Sequence, residues 1–222
     1  ENSLKNIQAA EKIGQPIQAW LDDYATIFKD TFANFDISLT HFGRGSDQQA
    51  HWPGVQELWN LCLSSGDIYQ KKYDGLYCVG CEAFYTPAEL VDGLCPEHKT
   101  PPERISETNY FFRLSKYQDK LVELIESDTL AVLDQRYKNE MLGFIAQGLE
   151  DFSVSRSAER SRGIGVPIPG DTSQVMYVWF DALAIYLTAI GWGTNQSEFE
   201  KYWPADVHCI GKGISRFHAV YW

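Results

Sequence analysis

Two short cysteine-containing turns constrain this chain more than any other feature. Cys78-Val-Gly-Cys81 is followed, after thirteen residues, by Cys95-Pro-Glu-His98. Each pair has a two-residue spacer, which lets both side chains of a pair point to one centre, and two such pairs can close a tetrahedral shell around one Zn²⁺ ion. Gly80 and Gly93 are expected to give the turns their backbone freedom. Three thiolates and a neutral imidazole fill the shell and leave no position for water, so the site reads as structural, with one zinc per chain. Taken without the second pair, Cys78 and Cys81 would also suit a redox couple or two buried thiols.

The remaining cysteines, Cys62 and Cys209, read as small buried hydrophobes, and five cysteines in 222 residues do not suggest a disulfide framework. The chain is 44% hydrophobic, enough for a sizeable core in one large or two small domains. It has no run of eighteen apolar residues, and Glu1-Asn2-Ser3-Leu4-Lys5 is no apolar leader, so the expectation is a cytoplasmic protein without a membrane partner. A net charge of −11 argues against holding DNA or RNA by bulk electrostatics, although Lys99, Arg104, Arg113, Lys116 and Lys120 form a local basic run after the second turn.

Periodicity predicts helices over residues 4–14 and 17–35, the second carrying Trp20, Tyr24, Ile27, Phe28 and Phe35 at three-to-four spacing. The first starts abruptly, as if the chain were entered partway through a fold. A polar loop over 41–51 places His41 and His51 in solvent. Pro53 opens a helix with Val55, Leu58, Trp59 and Cys62 on one face, ended at Gly66. Residues 67–78 read as a hairpin turning at Asp74-Gly75 and leading into the metal turns, and residues 109–112 as a short aromatic strand. Leu114, Tyr117, Leu121, Leu124 and Ile125 mark an amphipathic helix with Ser115 as its N-cap, and Met141, Leu142, Ile145 and Leu149 mark another.

Beyond residue 152 the pattern becomes strand-like, at 152–156, 163–170 and 175–180. Asp181 is expected to cap a helix over 182–190 that stops at Gly191. A second strand is expected over 206–211, followed by a helix from Gly213 to Trp222. Two successive strand-turn-helix units imply part of a parallel α/β sheet.

Several stretches carry a resemblance. They are Asn109-Tyr-Phe-Phe-Arg-Leu-Ser-Lys-Tyr117, Gly148-Leu-Glu-Asp-Phe-Ser-Val-Ser-Arg156, Tyr177-Val-Trp-Phe-Asp-Ala182, Lys201-Tyr-Trp-Pro-Ala-Asp206 and Ile210-Gly-Lys-Gly-Ile-Ser-Arg-Phe-His218. Together with the cysteine turns and the opening Glu-Asn-Ser-Leu-Lys-Asn, they resemble the bacterial methionyl-tRNA synthetases, class I aminoacyl-tRNA synthetases, across essentially the whole chain.

The resemblance implies an α/β fold: a partial Rossmann-type catalytic domain with an inserted α+β connective-peptide domain bearing the zinc knuckle. Residues 1–66 would be the helical end of the first Rossmann half and the lead into the insertion. Residues 67–112 would be the zinc-knuckle module, 113–174 the remaining connective peptide, and 175–222 the start of the second Rossmann half. The implied reaction joins methionine to ATP, with Mg²⁺ assisting the phosphates, and then charges the methionine tRNA. Trp179, Ala182, Leu183 and Tyr186 match methionine-pocket positions on one unit, and Ile214, Phe217, His218 and Trp222 on the other. Shape and sulfur–aromatic contacts, each about 0.3–1.5 kcal/mol, would recognise the thioether. Gly211 and Gly213 would face the adenosine, and Arg156 matches an arginine near the catalytic centre. His208 reads as structural. On pattern alone, the run of Tyr, Val, Trp and Phe is ordinary core.

The sequence departs from the resemblance in two respects. The His-Ile-Gly-His-type and Lys-Met-Ser-Lys-Ser-type motifs that bind ATP are not in these 222 residues, so the chain alone is expected not to activate methionine. Gly213 stands where the resembled Gly-Lys-Asp-Ile pattern is acidic. The rival expectation is a non-catalytic, synthetase-derived zinc module that binds tRNA or protein.

Overall fold

A computed structural model describes residues 1–81 and 83–222, with all of their side chains except those of Tyr73, Ala83 and Phe84. Helices α1 (Leu4–Lys12) and α2 (Ile17–Asn34) pack on each other across the Gly14-Gln15-Pro16 break. Only Leu21 and Ala25 of α2 are buried, while Tyr24, Ile27, Phe28 and Phe35, the expected apolar stripe, are exposed. Helix α3 (Trp52–Ser64) begins with Pro53 in its first turn, where the missing N–H costs no hydrogen bond, and buries Val55 and Trp59.

The predicted hairpin over 67–78 is one continuous strand, β1 (Ile68–Cys78). Asp74 and Gly75 stay in the ladder opposite Ser106 and Ile105 of β3 (Glu103–Phe112) instead of turning. The partner strand lies beyond the cysteine turns, so the local alternation was read correctly and its pairing was not. β2 (Ala83–Tyr85) adds to the outer end of β1, and β4 (Phe152–Ser153) adds to β3, giving the order β2-β1-β3-β4. A second sheet, β5-β7-β6, comprises β5 (Ser155–Ser157), β6 (Pro167–Ile168) and β7 (Asp171–Met176).

Among the described residues every ladder is antiparallel, which corrects the parallel sheet expected from residues 175–222. The β-rich run is split. β7 ends at Met176, and Val178, Trp179 and Phe180 form the first turn of α6 (Val178–Thr188) with Tyr177 as N-cap. Asp181 therefore sits inside the helix and does not cap it. After α7 (Gln196–Tyr202), residues 207–211 run, with no ladder partner among the described residues, into a tight turn (Lys212–Ile214) and a wide one (Phe217–Tyr221).

Two cores hold these elements. One joins Val55, Trp59, Ile68, Val154, Val166, Ile168, Met176 and Ala184, from α3, β1, the second sheet with the residues flanking its strands, and α6. The other joins α4 (Gln118–Glu126) and α5 (Gln135–Ile145) through Ile125, Met141 and Ile145, and receives Leu114, Leu149 and Val220. Ser115 is not an N-cap. It lies in a tight turn (Leu114–Tyr117), where its hydroxyl donates to Asp151 Oδ1 at 2.6 Å. Part of the basic run is used internally, since Lys116 pairs with Asp67 at 2.6 Å and Arg113 donates to the Gly66 carbonyl at 2.9 Å.

Candidate metal centre and aromatic pocket

At the outer end of the β1–β3 ribbon, Cys78 leaves β1 and Cys81 follows in the turn, while Cys95 and His98 return from the far side. Their ligand atoms all lie within 4.8 Å of one another. Cys81 Sγ is 3.4 Å from Cys95 Sγ and 3.1 Å from His98 Nδ1, and His98 Nδ1 is 3.9 Å from both Cys78 Sγ and Cys95 Sγ. A tetrahedral Zn²⁺ with bonds of about 2.0–2.3 Å needs ligand-to-ligand separations of roughly 3.3–3.8 Å. The donor set and its spacing are thus compatible with zinc. His98 offers Nδ1, the ring nitrogen nearest its backbone.

Gly80 matters for a reason other than turn freedom, because a Cβ there would fall 2.5 Å from the His98 ring. The imidazole lies against bare backbone. Gly93, by contrast, does use the left-handed region, with φ +75°. The thiols are unlike one another. Burial raises the Cys95 thiol, but the backbone N–H of His98 and the neighbouring Cys81, His98 and Cys78 side chains outweigh it and bring it down to about 6. Burial pushes Cys81 up to about 12, aided by Cys95 and Cys78 and opposed by the Tyr85 hydroxyl, which donates to its sulfur at 3.0 Å.

The residues singled out by resemblance on α6 and the final turns fall largely into one aromatic group. Trp179 and Phe217 stack with ring centroids 3.9 Å apart. His218 Nδ1 lies 2.9 Å from the Ile214 carbonyl, which can only accept, so this nitrogen carries the proton in the neutral ring. Its Nε2 then accepts from the Tyr186 hydroxyl at 2.7 Å. Trp222 tilts against Tyr186 at 6.1 Å, and Trp179, Leu183 and Trp222 help line a cavity of about 130 Å³. Burial raises the Tyr186 hydroxyl and lowers His208, whose ring meets Tyr186 edge-on at 4.7 Å and is pushed further down by His218.

Ala182 is not in that cavity. It is exposed and lines a larger space of about 330 Å³ on the other side of α6, shared with Arg44, Phe28 and Ile185. Arg156 is buried, donates to the Ser153 hydroxyl at 3.0 Å and the Ser155 carbonyl at 2.7 Å, and lies 4.0 Å over the Tyr177 ring. Gly211 and Gly213 are exposed, and a Cβ at either would meet nothing within 4 Å, so an acidic side chain at 213 would fit. Cys62 is half-buried, with burial first and then Asp67 raising its thiol to about 11, whereas Cys209 is exposed and is no core residue.

The sequence reading misplaced His51. His41 is exposed as expected, but His51 is 1% exposed. Its Nε2 meets Asp181 Oδ1 and its Nδ1 meets Thr188 Oγ1, each at 2.6 Å. Asn2 Nδ2 closes the network by donating to Asp181 Oδ2 at 2.6 Å. The imidazole therefore ties two turns of α6 together from the face opposite Trp179, Leu183 and Tyr186. Its partners are 130 and 137 residues away in sequence, and no local pattern could have revealed them.

The family model described as tRNA synthetases class I (M) matches residues 3–106 and 98–222. A methionine–tRNA ligase of Caldanaerobacter subterraneus subsp. tengcongensis is 43% identical over all of this chain and 34% of its own length. One from Streptomyces coelicolor is also 43% identical, over 42% of its length. A crystal structure of Mycobacterium tuberculosis methionyl-tRNA synthetase bound by methionyl-adenylate superposes with a TM-score of 0.89 at 40% identity, covering 99% of this chain and 44% of that one. The chain thus spans between a third and a half of the relatives it matches. On the strength of a family model that covers nearly every residue, this chain belongs to the class I (M) tRNA synthetases, the family of its methionine–tRNA ligase relatives.

Proposed function

We propose that this chain is the part of a methionine–tRNA ligase that carries the structural zinc knuckle and one wall of the methionine pocket. The parent would join methionine to ATP, giving methionyl-adenylate and pyrophosphate, and then pass the aminoacyl group to the terminal ribose of the methionine tRNA in the cytoplasm. The observation that carries this reading is the Tyr186–His218 hydrogen bond beside the stacked Trp179–Phe217 pair. A thioether binds through shape and polarizability, and such a wall supplies aromatic faces with one fixed polar edge. Trp179, Leu183, Phe217 and Trp222 would enclose the methionine side chain, and Ile214 would hold His218 in the tautomer that accepts from Tyr186. Ala182, on the other side of α6, would not contribute to that wall.

Cys78, Cys81, Cys95 and His98 would hold the zinc, which fixes the shape of the knuckle and takes no part in the reaction. Mg²⁺ would neutralise charge on the phosphates of ATP. Gly211 and Gly213 leave open backbone that suits the adenosine side. Arg156, held over Tyr177, would support the floor beneath α6. In this reading residues 1–66 lead into the insertion, 67–112 form the knuckle module, 113–174 complete the insertion, and 175–222 begin the second half of the catalytic domain.

The test uses the full-length parent. Trp179→Ala should raise the methionine KM at least tenfold while changing the ATP KM less than threefold, because it removes pocket wall and no phosphate contact. Steady-state pyrophosphate exchange measures both, and equal losses for the two substrates would make Trp179 an ordinary core residue.

A further inference from the structure

We propose that Tyr85 is an outer-sphere partner of the metal centre, its hydroxyl holding the Cys81 sulfur oriented toward the ion. This rests on the zinc reading above and adds a residue to it. The Tyr85 hydroxyl donates to Cys81 Sγ at 3.0 Å. Among the described residues it is the one side chain outside the four candidate ligands with a hydrogen bond to any of their sulfurs.

The sulfur it reaches is the one that needs a partner. Cys78 and Cys95 are 2% and 0% exposed, whereas Cys81 is only half-buried. A sulfur at the rim of a site is free to turn away and open to displacement by water, and a neutral O–H donor fixes its direction without competing for the metal. Tyr85 is also held in place. Its backbone pairs with Leu76 in the same ladder that pairs Ala83 with Cys78, so one strand pairing positions a ligand and this donor together. Immediately after it, the Thr86 backbone N–H and hydroxyl both donate to Glu89 Oε2, at 2.7 and 2.8 Å, which ends the strand in a closed turn. The phenol therefore reaches the sulfur from a fixed base.

Removing an outer-sphere partner typically costs about 10–100-fold in metal affinity. The experiment compares the chain with its Tyr85→Phe variant, which keeps the ring. Zinc affinity is measured by competition with a chromophoric chelator, and the sulfur-to-metal charge-transfer band after exchange with Co²⁺. The expected result is one zinc in each, bound about 10–100-fold more weakly by the variant, with the band at longer wavelength because the sulfur has lost a proton donor. A fluorinated tyrosine at position 85 keeps the hydroxyl and strengthens it as a donor, and it should shift the band the other way. Equal affinities with an unmoved band in both variants would overturn the role of Tyr85 while leaving the zinc site standing. Failure of the unaltered chain to bind zinc would remove the zinc reading and Tyr85 with it.

Discussion

The knuckle and the core around Trp59 are held together by opposite means. Around Cys78, Cys81, Cys95 and His98 the apolar burial is slight, with Val91 55% exposed and the residues from Thr86 to Glu89 in solvent. What converges there is four candidate donor atoms on short turns. Around Trp59, among the described residues, the packing is apolar and aromatic. The indole is fully buried and meets Tyr110 and Phe180 edge-on at 5.3 and 5.4 Å, amid side chains from α3, β1, β7 and α6. A small lobe can be specified by a few residues close in sequence, whereas a core must be assembled from residues far apart.

The sharpest way to break the comparison is to remove the zinc proposed for the knuckle. Removing zinc with a chelator, or substituting Cys95→Ser, should abolish hydrogen-exchange protection in residues 78–98, since structural zinc contributes on the order of 10–16 kcal/mol in small zinc domains. Amides of α3 and α6 should keep theirs. Trp59→Ala should do the reverse, lowering global stability by about 3–5 kcal/mol in denaturant while zinc stoichiometry stays at one. His51→Ala should cost about 1–3 kcal/mol by leaving Asp181 and Thr188 without their bridge, again with no change in bound zinc.

Acid should act least, and at the end of the β1–β3 ribbon away from the knuckle. Burial raises Asp67, yet Lys116, Ser65 and Tyr117 outweigh it, and Ser115 and Tyr69 do the same for Asp151, so both carboxyls titrate below their ordinary values. Their contribution is therefore complete above about pH 4 and is lost as pH falls through the folded values. Lys116 is exposed, so solvent screens the pair and the loss should be small. Urea midpoints at pH 6 and pH 3, compared with those of Asp67→Asn, would measure it.

The same contrast explains what could be read from the sequence. The cysteine–histidine cluster was legible because its four residues lie within 21 residues of one another and each pair has a fixed spacing. Helices α1 to α5 were legible from periodicity, within a few residues at their ends. The β1–β3 pairing was missed because Ile68 meets Phe112 across the whole knuckle, and a local turn signal at Asp74-Gly75 offered a nearer alternative. Val178, Trp179 and Phe180 favour strands on their own, but Tyr177 starts a helix there and packing of α6 against α3 sustains it. His51 was misread for the same reason, since its place depends on what α6 brings to it.

The β1–β3 ribbon gives the knuckle a consequence for how the chain folds. Tyr77 and its partner Glu103 are separated by about 26 residues, a loop whose closure must be met with chain entropy before any ladder bond forms. Joining Cys78 to His98 through an ion shortens the free path to about seven residues, which lowers that closure cost by about 1 kcal/mol. Metal taken up early would therefore favour zipping of the ribbon from its tip toward Ile68 and Phe112, delivering both to the core already in register.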